Sequence, residues 1–394
     1  MKILAVHNAY QQPGGEDSVF EQEVRLLERH GHEVETYRKS NREIEHYSIG
    51  ERLELIPKTV WRGETHREMK DLLGRVKPRV VHVHNTFMLI SPSIYSACRE
   101  AGVPVVQTLH NYRLLCPAAT FFREGAVCEE CPEHSLWRGV RYGCYRHSRS
   151  ASAVTALMLA VHRRRHTWTR SIALFVAVSE FVKGKFVENG FPPGRIFVKP
   201  NFVDPDPGAR SEGEGDYALY AGRLSEEKGV ETLLEAWRQL RQAIPLVIAG
   251  DGPERPRLEA KAAGLSIPLV RFCGHITRQK LSETMKQARF LVFPSRWYET
   301  FGMTIVEAFA CGIPVLCARL GAAQEAVEDG RTGLHFAPGD AEDLAAKADW
   351  AWTHPAEMQA MGREARCEYV AKYTAEKNYP LLIQIYEKAA SLYA

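Results

Sequence analysis

The chain has 394 residues, of which 45% are hydrophobic and 25% are charged, and its formal net charge is +3. This length exceeds the usual size of one hydrophobic core, so we expect two domains, and the balanced charge indicates no particular class of partner. The first residues lack the small-residue cleavage site of a secretory signal, and no apolar stretch reaches the roughly 18–20 residues of a membrane span. The sequence therefore predicts a cytoplasmic protein and argues against the secreted and membrane-spanning classes.

Short β-rich segments alternate with helical patterns along the chain. The candidate strands are 2–8, 32–38, 80–84, 104–110, 174–179, 195–200, 217–223, 245–250, 270–274, 289–295 and 314–319. Apolar strands joined by helical crossovers predict parallel sheets that are covered on both faces. Residues 203–216 are rich in Pro, Gly and acidic side chains, which is typical of a linker. Because ligands of such sheets bind at the carboxyl ends of the strands, we expect two doubly wound domains that face each other across a cleft.

The segment ETFGMTIVEAFACGIPV (299–315) follows one of these candidate strands. Its apolar residues suit a buried helix that begins near Gly302, so that Glu299 lies in the preceding loop and Glu307 on the helix. The amides at a helix start can bind an anion such as a phosphate, and the two carboxylates can accept hydrogen bonds from sugar hydroxyls. The alternative is an exposed Glu together with a buried Glu that pairs with a basic residue.

Further turns that follow candidate strands carry groups suited to a diphosphate. Arg223 and Lys228 surround one turn, where two cations can neutralise a diphosphate without a metal. The alternative is a pair of solvated surface charges. The Gly-rich turn AGDGPE (249–254) is a weaker signal, since such turns often only redirect the chain. Gly14 and Gly15 precede a helical pattern but lack the G-x-G-x-x-G spacing, so the sequence does not carry a dehydrogenase fingerprint.

Together these segments resemble the retaining glycosyltransferases of family 4, which have the GT-B fold. The resemblance spans nearly the whole chain, and its motifs are PGGED (13–17), AGRLSEEKG (221–229), AGDGPE (249–254) and the highly specific block 294–340. It implies an α/β protein of two Rossmann-like doubly wound parallel-sheet domains. The expected domains are 1–202, with a Cys-rich insert at 111–150, and 203–374, and a final helix at 375–394 is expected to pack back on the first.

The resemblance implies transfer of a sugar from a nucleotide-diphosphate sugar to a hydroxyl acceptor with retention of configuration. The usual mechanism of the family is front-face, and in it the leaving diphosphate helps to deprotonate the acceptor through an oxocarbenium-like state. No metal or other cofactor is expected in catalysis. Two alternatives stay open, namely a nucleotide-sugar epimerase of the same fold and a catalytically silent partner protein that binds a nucleotide.

The resemblance also implies roles for individual residues. Glu307 would bind the ribose of the donor and Glu299 the hydroxyls of the transferred sugar, while His110 in the TLHN segment would face that sugar, so His110 and Glu299 are the expected catalytic residues. The expected donor-binding residues are Gly14, Gly15, Arg223, Lys228, Gly250, Gly252, Phe301, Gly302, Met303, Thr304 and Glu307. In PNFVD (200–204) the sequence departs from the family pattern, since Phe202 stands where glycine is commoner.

The Cys-rich insert carries Cys116, Cys128, Cys131 and Cys144, with a Cys-x-x-Cys at its centre. Four thiolates can hold a tetrahedral structural Zn²⁺, although the spacing is not that of a standard zinc ribbon. Buried free thiols are the alternative. Enzymes of the family that resemble bacterial surface-polysaccharide transferases carry a similar insert after HNYRLLCP, so polysaccharide or lipopolysaccharide assembly is the expected setting.

Residues 135–179 contain eight arginines and no acidic residue. Within them an apolar segment ends in Arg163, Arg164 and Arg165, followed by Trp168. This pattern indicates an interfacial segment for an anionic bilayer or a lipid-linked acceptor, which would place the protein peripherally at the inner face of the plasma membrane. A core helix with a solvated basic end is the alternative. Nucleic acid is not an expected partner, because no nucleic-acid motif accompanies the charge.

Overall fold

The computed structural model describes residues 1–11, 14–211, 213, 215–267 and 269–393. The strands are β1 (Lys2–Ala9), β2 (Glu33–Ser40), β3 (Val80–Asn85), β4 (Val105–Leu109), β5 (Phe122–Arg123), β6 (Ala126–Val127), β7 (Leu174–Ala177), β8 (Ile196–Val198), β9 (Tyr217–Ala221), β10 (Leu246–Ala249), β11 (Val270–Gly274), β12 (Ala288–Phe293), β13 (Val315–Ala318) and β14 (Gly333–Phe336).

The α-helices are α1 (Gly15–Arg29), α2 (Ile49–Val60), α3 (Gly63–Val76), α4 (Ser93–Glu100), α5 (Glu130–Glu133), α6 (Trp137–Arg141), α7 (Arg149–Arg164), α8 (Thr167–Ser171), α9 (Glu180–Glu188), α10 (Val230–Arg238), α11 (Arg255–Gly264), α12 (Arg278–Gln287), α13 (Met303–Ala310), α14 (Gly321–Ala326), α15 (Ala341–Thr353), α16 (Pro355–Lys372) and α17 (Ala375–Ser391). Short 3₁₀ helices span Asn41–His46, Pro193–Arg195 and Glu226–Lys228.

The chain divides into two compact units. The N-terminal unit contains Met1–Phe121, Glu129–Pro200 and the C-terminal segment from Asn378, and the C-terminal unit contains Phe122–Cys128 and Asn201–Lys377. The change from one unit to the other therefore falls two residues before the expected boundary at 202, and the Cys-rich insert contributes to both units.

The N-terminal unit is built on a six-stranded sheet with the order β2-β1-β3-β4-β7-β8, in which all pairings are parallel. Its central strand β3 is buried along its whole length, as expected for a parallel sheet with helices on both faces. The core contains Val80 and Val106 from the sheet together with Leu382 and Tyr386 from α17. The last helix of the chain therefore completes the core of the N-terminal unit.

The C-terminal unit contains a second six-stranded parallel sheet, with the order β11-β10-β9-β12-β13-β14. Its core joins Leu233 and Trp237 of α10 to Phe290 of β12. The strand β14 is not among the predicted strands, because the short sequence Gly-Leu-His-Phe has too few apolar residues to form a pattern. The two doubly wound parallel sheets confirm the predicted α/β fold class.

In each sheet the strand order reverses between two neighbouring strands, β1 and β3 in one sheet and β9 and β12 in the other. Connections that leave such a pair run to opposite faces of the sheet, so a crevice opens at the carboxyl ends of the two strands. Lys228 follows β9, and Glu299 follows β12. Gly14 follows β1 in the N-terminal unit, and His110 follows β4, the strand beside β3. The topology therefore carries the predicted site residues to the expected ends of the sheets.

The apolar helix of the basic segment is α7, and it buries Thr155, Met158 and Leu159 in the N-terminal unit. Trp168 is only 4% exposed, and its ring centroid lies 5.7 Å from that of Tyr95. Because the indole is buried, the interfacial role expected of Trp168 is wrong. Among the helices of the described residues, none is long and apolar enough to cross a bilayer.

Replacement of Gly250 by Ala is expected to destabilise the C-terminal unit. A Cβ atom at Gly250 would lie 1.8 Å from the carbonyl oxygen of Gly222, and the φ angle of +149° is unfavourable for any residue with a side chain. We expect a loss of at least ~2 kcal/mol in the free energy of unfolding, measured by urea denaturation. Gly264→Ala is the matched control, because nothing lies within 4 Å of its Cβ position. Equal denaturation midpoints for both variants would contradict this account of the turn.

Candidate functional site

The predicted residues Lys228 and Glu299 contact each other in the C-terminal unit. The ammonium nitrogen of Lys228 lies 2.6 Å from Oε1 of Glu299, and the hydroxyl of Ser295 donates to the same oxygen at 2.6 Å. Lys228 also lies 5.2 Å from the centre of the Trp297 ring. Glu299 is 6% exposed, so its carboxylate is stabilised by this cation and hydroxyl rather than by water. The pair places a cation and a carboxylate together at the junction of β9 and β12.

Two glycines allow the loops after β9 and β10 to touch. A Cβ atom at Gly250 would collide with the Gly222 carbonyl, and one at Gly252 would lie 2.3 Å from the Leu224 carbonyl. The predicted residue Arg223 lies between these contacts, and its own carbonyl accepts a hydrogen bond from Tyr220 at 2.8 Å. Its side chain is exposed. Gly250 and Gly252 therefore bring the loops together, while Arg223 presents its guanidinium to solvent.

The helix α13 begins as predicted, immediately after Gly302. Gly302 is its N-cap and has a left-handed φ angle of 84°, which glycine adopts without strain. The amides of Met303 and Thr304 belong to the first turn, where helical amides have no carbonyl partner within the helix. Phe301 is buried, and its ring lies edge-to-face with Tyr373 at 5.9 Å. The helix start therefore offers backbone donors on a rigid, buried support.

Glu307 lies on α13 and is partly buried. Burial raises the pKa of its carboxyl to about 7, against a smaller opposing effect of Arg278. The Nε atom of Arg278 lies 3.9 Å from Oε1 of Glu307, too far for a hydrogen bond. The two predicted carboxylates therefore differ in their surroundings, since, among the described residues, only Glu299 of the two has a cation within hydrogen-bonding distance.

In the N-terminal unit the predicted Gly14 and Gly15 form the start of α1. Gly14 is the N-cap, and its amide donates to Oδ2 of Asp17 at 2.7 Å. The other oxygen of Asp17 lies 2.7 Å from Nε2 of His7 at the end of β1. Asp17 therefore holds the glycine turn against the first strand.

Three residues that sequence reasoning missed lie beside this turn. The hydroxyl of Tyr10 donates to Oε2 of Glu16 at 2.8 Å, and the amide of Asn111 donates to the same oxygen at 3.2 Å. Burial raises the pKa of Glu16 to about 7. Asn111 directly follows His110, so the polar residues after β1 and β4 form one cluster. There was little indication of this cluster in the sequence, since single polar residues in loops are common.

His110 contacts a buried cluster of polar residues beneath the sheet edge. Its Nε2 lies 2.9 Å from Nδ1 of His84, and Nε2 of His84 lies 3.5 Å from Oε2 of Glu23. The other oxygen of Glu23 lies 2.6 Å from Lys199, which is 0% exposed. Burial lowers the pKa values of His84 and His110 well below the usual value for histidine. Both imidazoles are therefore neutral near pH 7.

Three potential metal ligands of the same cluster, Glu23, His82 and His84, all lie within 4.8 Å of one another. In the described part of the chain this is the only such set. Lys199 already supplies a positive charge to Glu23. His82 is held by hydrogen bonds of 2.7 Å to Thr108 and to Tyr386. A divalent cation would add a second, uncompensated charge to a fully buried site, so we assign this cluster no metal.

A small cavity opens in the N-terminal unit next to these histidines. Its lining includes His84, Phe87, Tyr95, His110 and Arg113. The guanidinium of Arg113 lies 4.3 Å from the centre of the Phe87 ring, so the wall combines a cation with aromatic surface. The imidazole of His110 therefore lies on the same wall as this cation and the aromatic rings.

The four cysteines of the insert differ in burial, since Cys116 and Cys131 are buried whereas Cys128 and Cys144 are half-buried. The structural zinc on these four cysteines stays a prediction.

Two family models match consecutive parts of the chain. Residues 13–207 match the model of Glycosyltransferase Family 4, and residues 207–368 match that of Glycosyl transferases group 1. Among curated proteins, the chain is 29% identical over 320 residues to a glycogen synthase of Mycobacterium tuberculosis, a match that covers 79% of this chain and 69% of the relative. It is 30% identical over 248 residues to the O-antigen chain mannosyltransferase B of Escherichia coli, covering 58% and 59%.

Solved structures share the fold over the whole length. Sucrose-phosphate synthase from Thermosynechococcus elongatus superposes with a TM-score of 0.74 at 18% identity and covers 100% of both chains. Anabaena HepE, solved in complex with UDP and glucose, superposes with a TM-score of 0.68 at 20% identity and covers 99% of this chain and 100% of that one. The two matching family models, the two doubly wound sheets and these relatives agree, and the chain belongs to the GT-B glycosyltransferases of family 4.

Proposed function

We propose that the protein transfers a sugar, with retention of configuration, from a nucleotide-diphosphate sugar to a hydroxyl acceptor. The observation that carries this proposal is the contact of Lys228 with Glu299 next to the start of α13. This contact supports the proposal, because a cation suited to a diphosphate, a carboxylate suited to sugar hydroxyls and the helix amides meet at one junction of parallel strands. The complex of HepE with UDP and glucose supports a donor of this class.

In the proposed donor complex, Lys228 and the exposed Arg223 neutralise the diphosphate, together with the amides of Gly302, Met303 and Thr304. Glu299 accepts hydrogen bonds from the hydroxyls of the transferred sugar, and Glu307 accepts them from the ribose. Because two cations and the helix start supply the positive charge, the diphosphate requires no divalent metal. The proposed enzyme is therefore metal-independent.

The proposed reaction breaks the bond between the anomeric carbon and the diphosphate oxygen and forms a bond from the same face to the acceptor oxygen. The proton of the acceptor hydroxyl passes to the departing diphosphate oxygen. Positive charge that develops on the sugar ring is stabilised by the nearby carboxylate of Glu299, while Lys228 stabilises the negative charge of the leaving group. In the N-terminal unit, His110, Gly14 and Gly15 are proposed to contact the sugar, and the cavity beside His110 to receive the acceptor.

The proposed acceptor is a lipid-linked or growing surface glycan, in agreement with the O-antigen mannosyltransferase among the relatives. A surface that suits such an acceptor lies on α2. Its residues Ile49, Leu53 and Ile56 are 81%, 62% and 41% exposed and are spaced along one helical stripe. We call these three residues the α2 stripe. An exposed apolar stripe of this kind is typical of a helix that lies in a membrane interface.

The basic end of α7 contacts the C-terminal end of α2. The ring nitrogen Nε2 of His162 donates to the carbonyl of Val60, the last residue of α2, at 2.8 Å. Arg164 and Arg165 follow and are exposed. Arg163 instead donates to the carbonyls of Leu114 and Leu115, so it is not part of the exposed basic surface that the sequence predicted. We propose that the α2 stripe, with Arg164 and Arg165, binds the anionic inner face of the plasma membrane.

Calorimetry with UDP-, GDP- and ADP-sugars in the presence of EDTA tests the donor site. Glu307→Gln should weaken binding of the nucleoside diphosphate and of its sugar conjugate by about ten- to a hundredfold, because ribose is common to both. Glu299→Gln should weaken only the conjugate, since Lys228 loses its competing carboxylate and remains available to the diphosphate. Glu357→Gln, at an exposed position on α16, is the control.

If no nucleotide sugar binds at millimolar concentration with or without Mg²⁺, the proposed function is wrong. If binding requires Mg²⁺, only the metal independence fails.

The affinity for the nucleotide sugar should increase with pH. Because the pKa of Glu307 is raised to about 7, its carboxyl is mostly protonated at pH 6 and mostly ionised at pH 8, and only the ionised form accepts two ribose hydrogen bonds. We expect about tenfold tighter binding at pH 8 than at pH 6. The dependence should disappear in Glu307→Gln. If Glu16→Gln removes it instead, the titrating group is Glu16, whose pKa is also raised to about 7.

Co-sedimentation with vesicles tests the membrane surface. Replacement of Ile49 and Leu53 by Ser should weaken binding to anionic vesicles at both low and high salt, because the lost interaction is apolar. Replacement of Arg164 and Arg165 by Ser should weaken it by about 1 kcal/mol for each charge, and mainly at low salt. Leu269→Ser is the control, since Leu269 is 60% exposed in the C-terminal unit. If the wild-type protein does not bind anionic vesicles, this surface is not a membrane-binding site.

A further inference from the structure

The two ends of the Cys-rich insert meet at one aromatic ring. Arg113 lies near the start of the insert, and Tyr145 and Arg146 lie near its end. The guanidinium carbon of Arg113 is 4.9 Å from the centre of the Tyr145 ring, and that of Arg146 is 5.6 Å from the same centre. Arg113 also lies 4.3 Å from the centre of the Phe87 ring. Two positive charges therefore share one aromatic support in the N-terminal unit.

The hydrogen bonds of these two arginines go to neutral groups. Nη1 of Arg113 donates to the carbonyl of Pro117, and Nη2 of Arg146 donates to Oε1 of Gln11. Among the described residues, neither arginine forms an ion pair with an aspartate or a glutamate. Because a guanidinium has five N–H donors, each side chain keeps its full charge and further donors for a ligand.

The backbone that presents Arg146 is strained. Arg146 and the following His147 have φ angles of 55° and 52°, in the left-handed region that is unfavourable for residues with a side chain. Two successive residues of this kind persist only where the surroundings hold them, and such strain is concentrated at ligand-binding sites. The turn keeps the exposed guanidinium of Arg146 close to the Tyr145 ring.

The arginines lie at the edge of the sheet that carries the predicted N-terminal site residues. The amide of Arg113 donates to Oδ1 of Asn111 at 2.9 Å, and Nδ2 of Asn111 donates to the hydroxyl of Tyr10 at 3.0 Å. Tyr10 follows β1, and Asn111 follows His110 after β4. Arg113 and His110 also line the same cavity. The cations therefore lie where the proposed function places the acceptor.

The carboxyl groups at this edge have partners of their own. Oε2 of Glu16 accepts hydrogen bonds from Tyr10 at 2.8 Å and from Asn111 at 3.2 Å. Burial raises the pKa of Glu16 to about 7, so this carboxyl is partly neutral at neutral pH. Asp17 lies 2.7 Å from the ring nitrogen Nε2 of His7. Neither carboxyl contacts the two arginines, and both cations stay available to an anion.

We propose that Arg113 and Arg146, supported by the Tyr145 ring, bind a phosphate or diphosphate group of the acceptor. This inference rests on the proposed function, because that function places the acceptor in the N-terminal unit. Guanidinium groups bind phosphate oxygens through paired N–H donors, and two of them match the multiple charge of a phosphate or diphosphate. The acceptor is thus a phosphorylated compound, whose phosphate belongs either to a lipid carrier or to a soluble sugar phosphate.

Calorimetry with the full chain tests this subsite. The probes are inorganic diphosphate, geranyl diphosphate and glucose 1-phosphate. The double variant Arg113→Gln with Arg146→Gln should raise the Kd of the bound probes at least tenfold, because it removes two charge-assisted contacts. The control is Arg141→Gln with Arg149→Gln, which removes the same charge from two exposed positions of the same acid-free segment. Equal Kd values in the two double variants would overturn the proposal.

The probes also distinguish the source of the phosphate and the site that binds it. Tighter binding of geranyl diphosphate than of inorganic diphosphate supports a lipid carrier, whereas preferential binding of glucose 1-phosphate supports a soluble sugar phosphate. Binding that Arg223→Gln weakens and the double variant leaves unchanged would place the probes in the donor site and overturn the proposal. Because no probe contains a nucleoside, failure of nucleotide sugars to bind would contradict the proposed function alone.

Single variants keep the proposal testable if the double variant does not fold. Arg146 is exposed, so Arg146→Gln should fold and should still raise the Kd of the diphosphate probes. Tyr145→Phe keeps the ring and should bind like the wild type, whereas Tyr145→Leu removes the support of both guanidinium groups and should bind about threefold more weakly or worse. A wild-type Kd in Arg146→Gln, or equal Kd values for the Phe and Leu variants, would overturn the proposal.

Discussion

Parallel β-sheets place the carboxyl ends of all their strands at one edge, and most of the chemistry of this protein depends on that constraint. Lys228 and Glu299 are separated by 71 positions in the chain, yet their side chains meet at 2.6 Å because β9 and β12 are neighbours. The strand order reverses between them, so their loops turn to opposite faces and leave an open crevice. The N-terminal sheet repeats this arrangement with β1 and β3.

Desolvation explains how the charged groups of the two units are held. Glu299 and Glu23 are both buried, and each has a lysine within 2.6 Å. A buried carboxylate without such a partner would be strongly destabilising, whereas a pair with additional hydrogen bonds is tolerated. Glu307 shows the contrast, since its cation is 3.9 Å away and burial raises its pKa to about 7. Glu299 and Glu23 thus each have a cation at contact distance, whereas in Glu307 burial raises the pKa of the carboxyl.

The two ion pairs differ in accessibility, and this difference suits different tasks. Lys228 keeps 22% of its side chain exposed, so an anion from solvent can reach the ammonium that contacts Glu299. Lys199 is fully buried, so no ligand can displace it from Glu23. In the proposed donor complex the first pair can therefore exchange partners, while the second can act only as a permanent electrostatic support for the neighbouring histidines.

The sequence alone determined the fold class, because apolar strands that alternate with helical patterns require parallel sheets, and the block 294–340 identified the family. It also predicted the helix start at Gly302 and the loop position of Glu299, since these follow from local pattern. The sequence did not predict β14, because its four residues are too few to show a strand pattern. The prediction for Trp168 was wrong, because an apolar segment next to arginines has the same sequence pattern whether it faces lipid or a protein core.

Only the tertiary structure decided which residues meet. The links among Glu23, His84, His110 and Lys199 join one helix and the ends of three strands, and no spacing in the chain encodes them. The exposure of the α2 stripe could likewise not be predicted from the sequence, because a helix with apolar residues on one side is normally expected to bury them. Burial and the identity of the neighbouring side chain are properties of the packed sheet, and a linear pattern constrains them only where a motif is local.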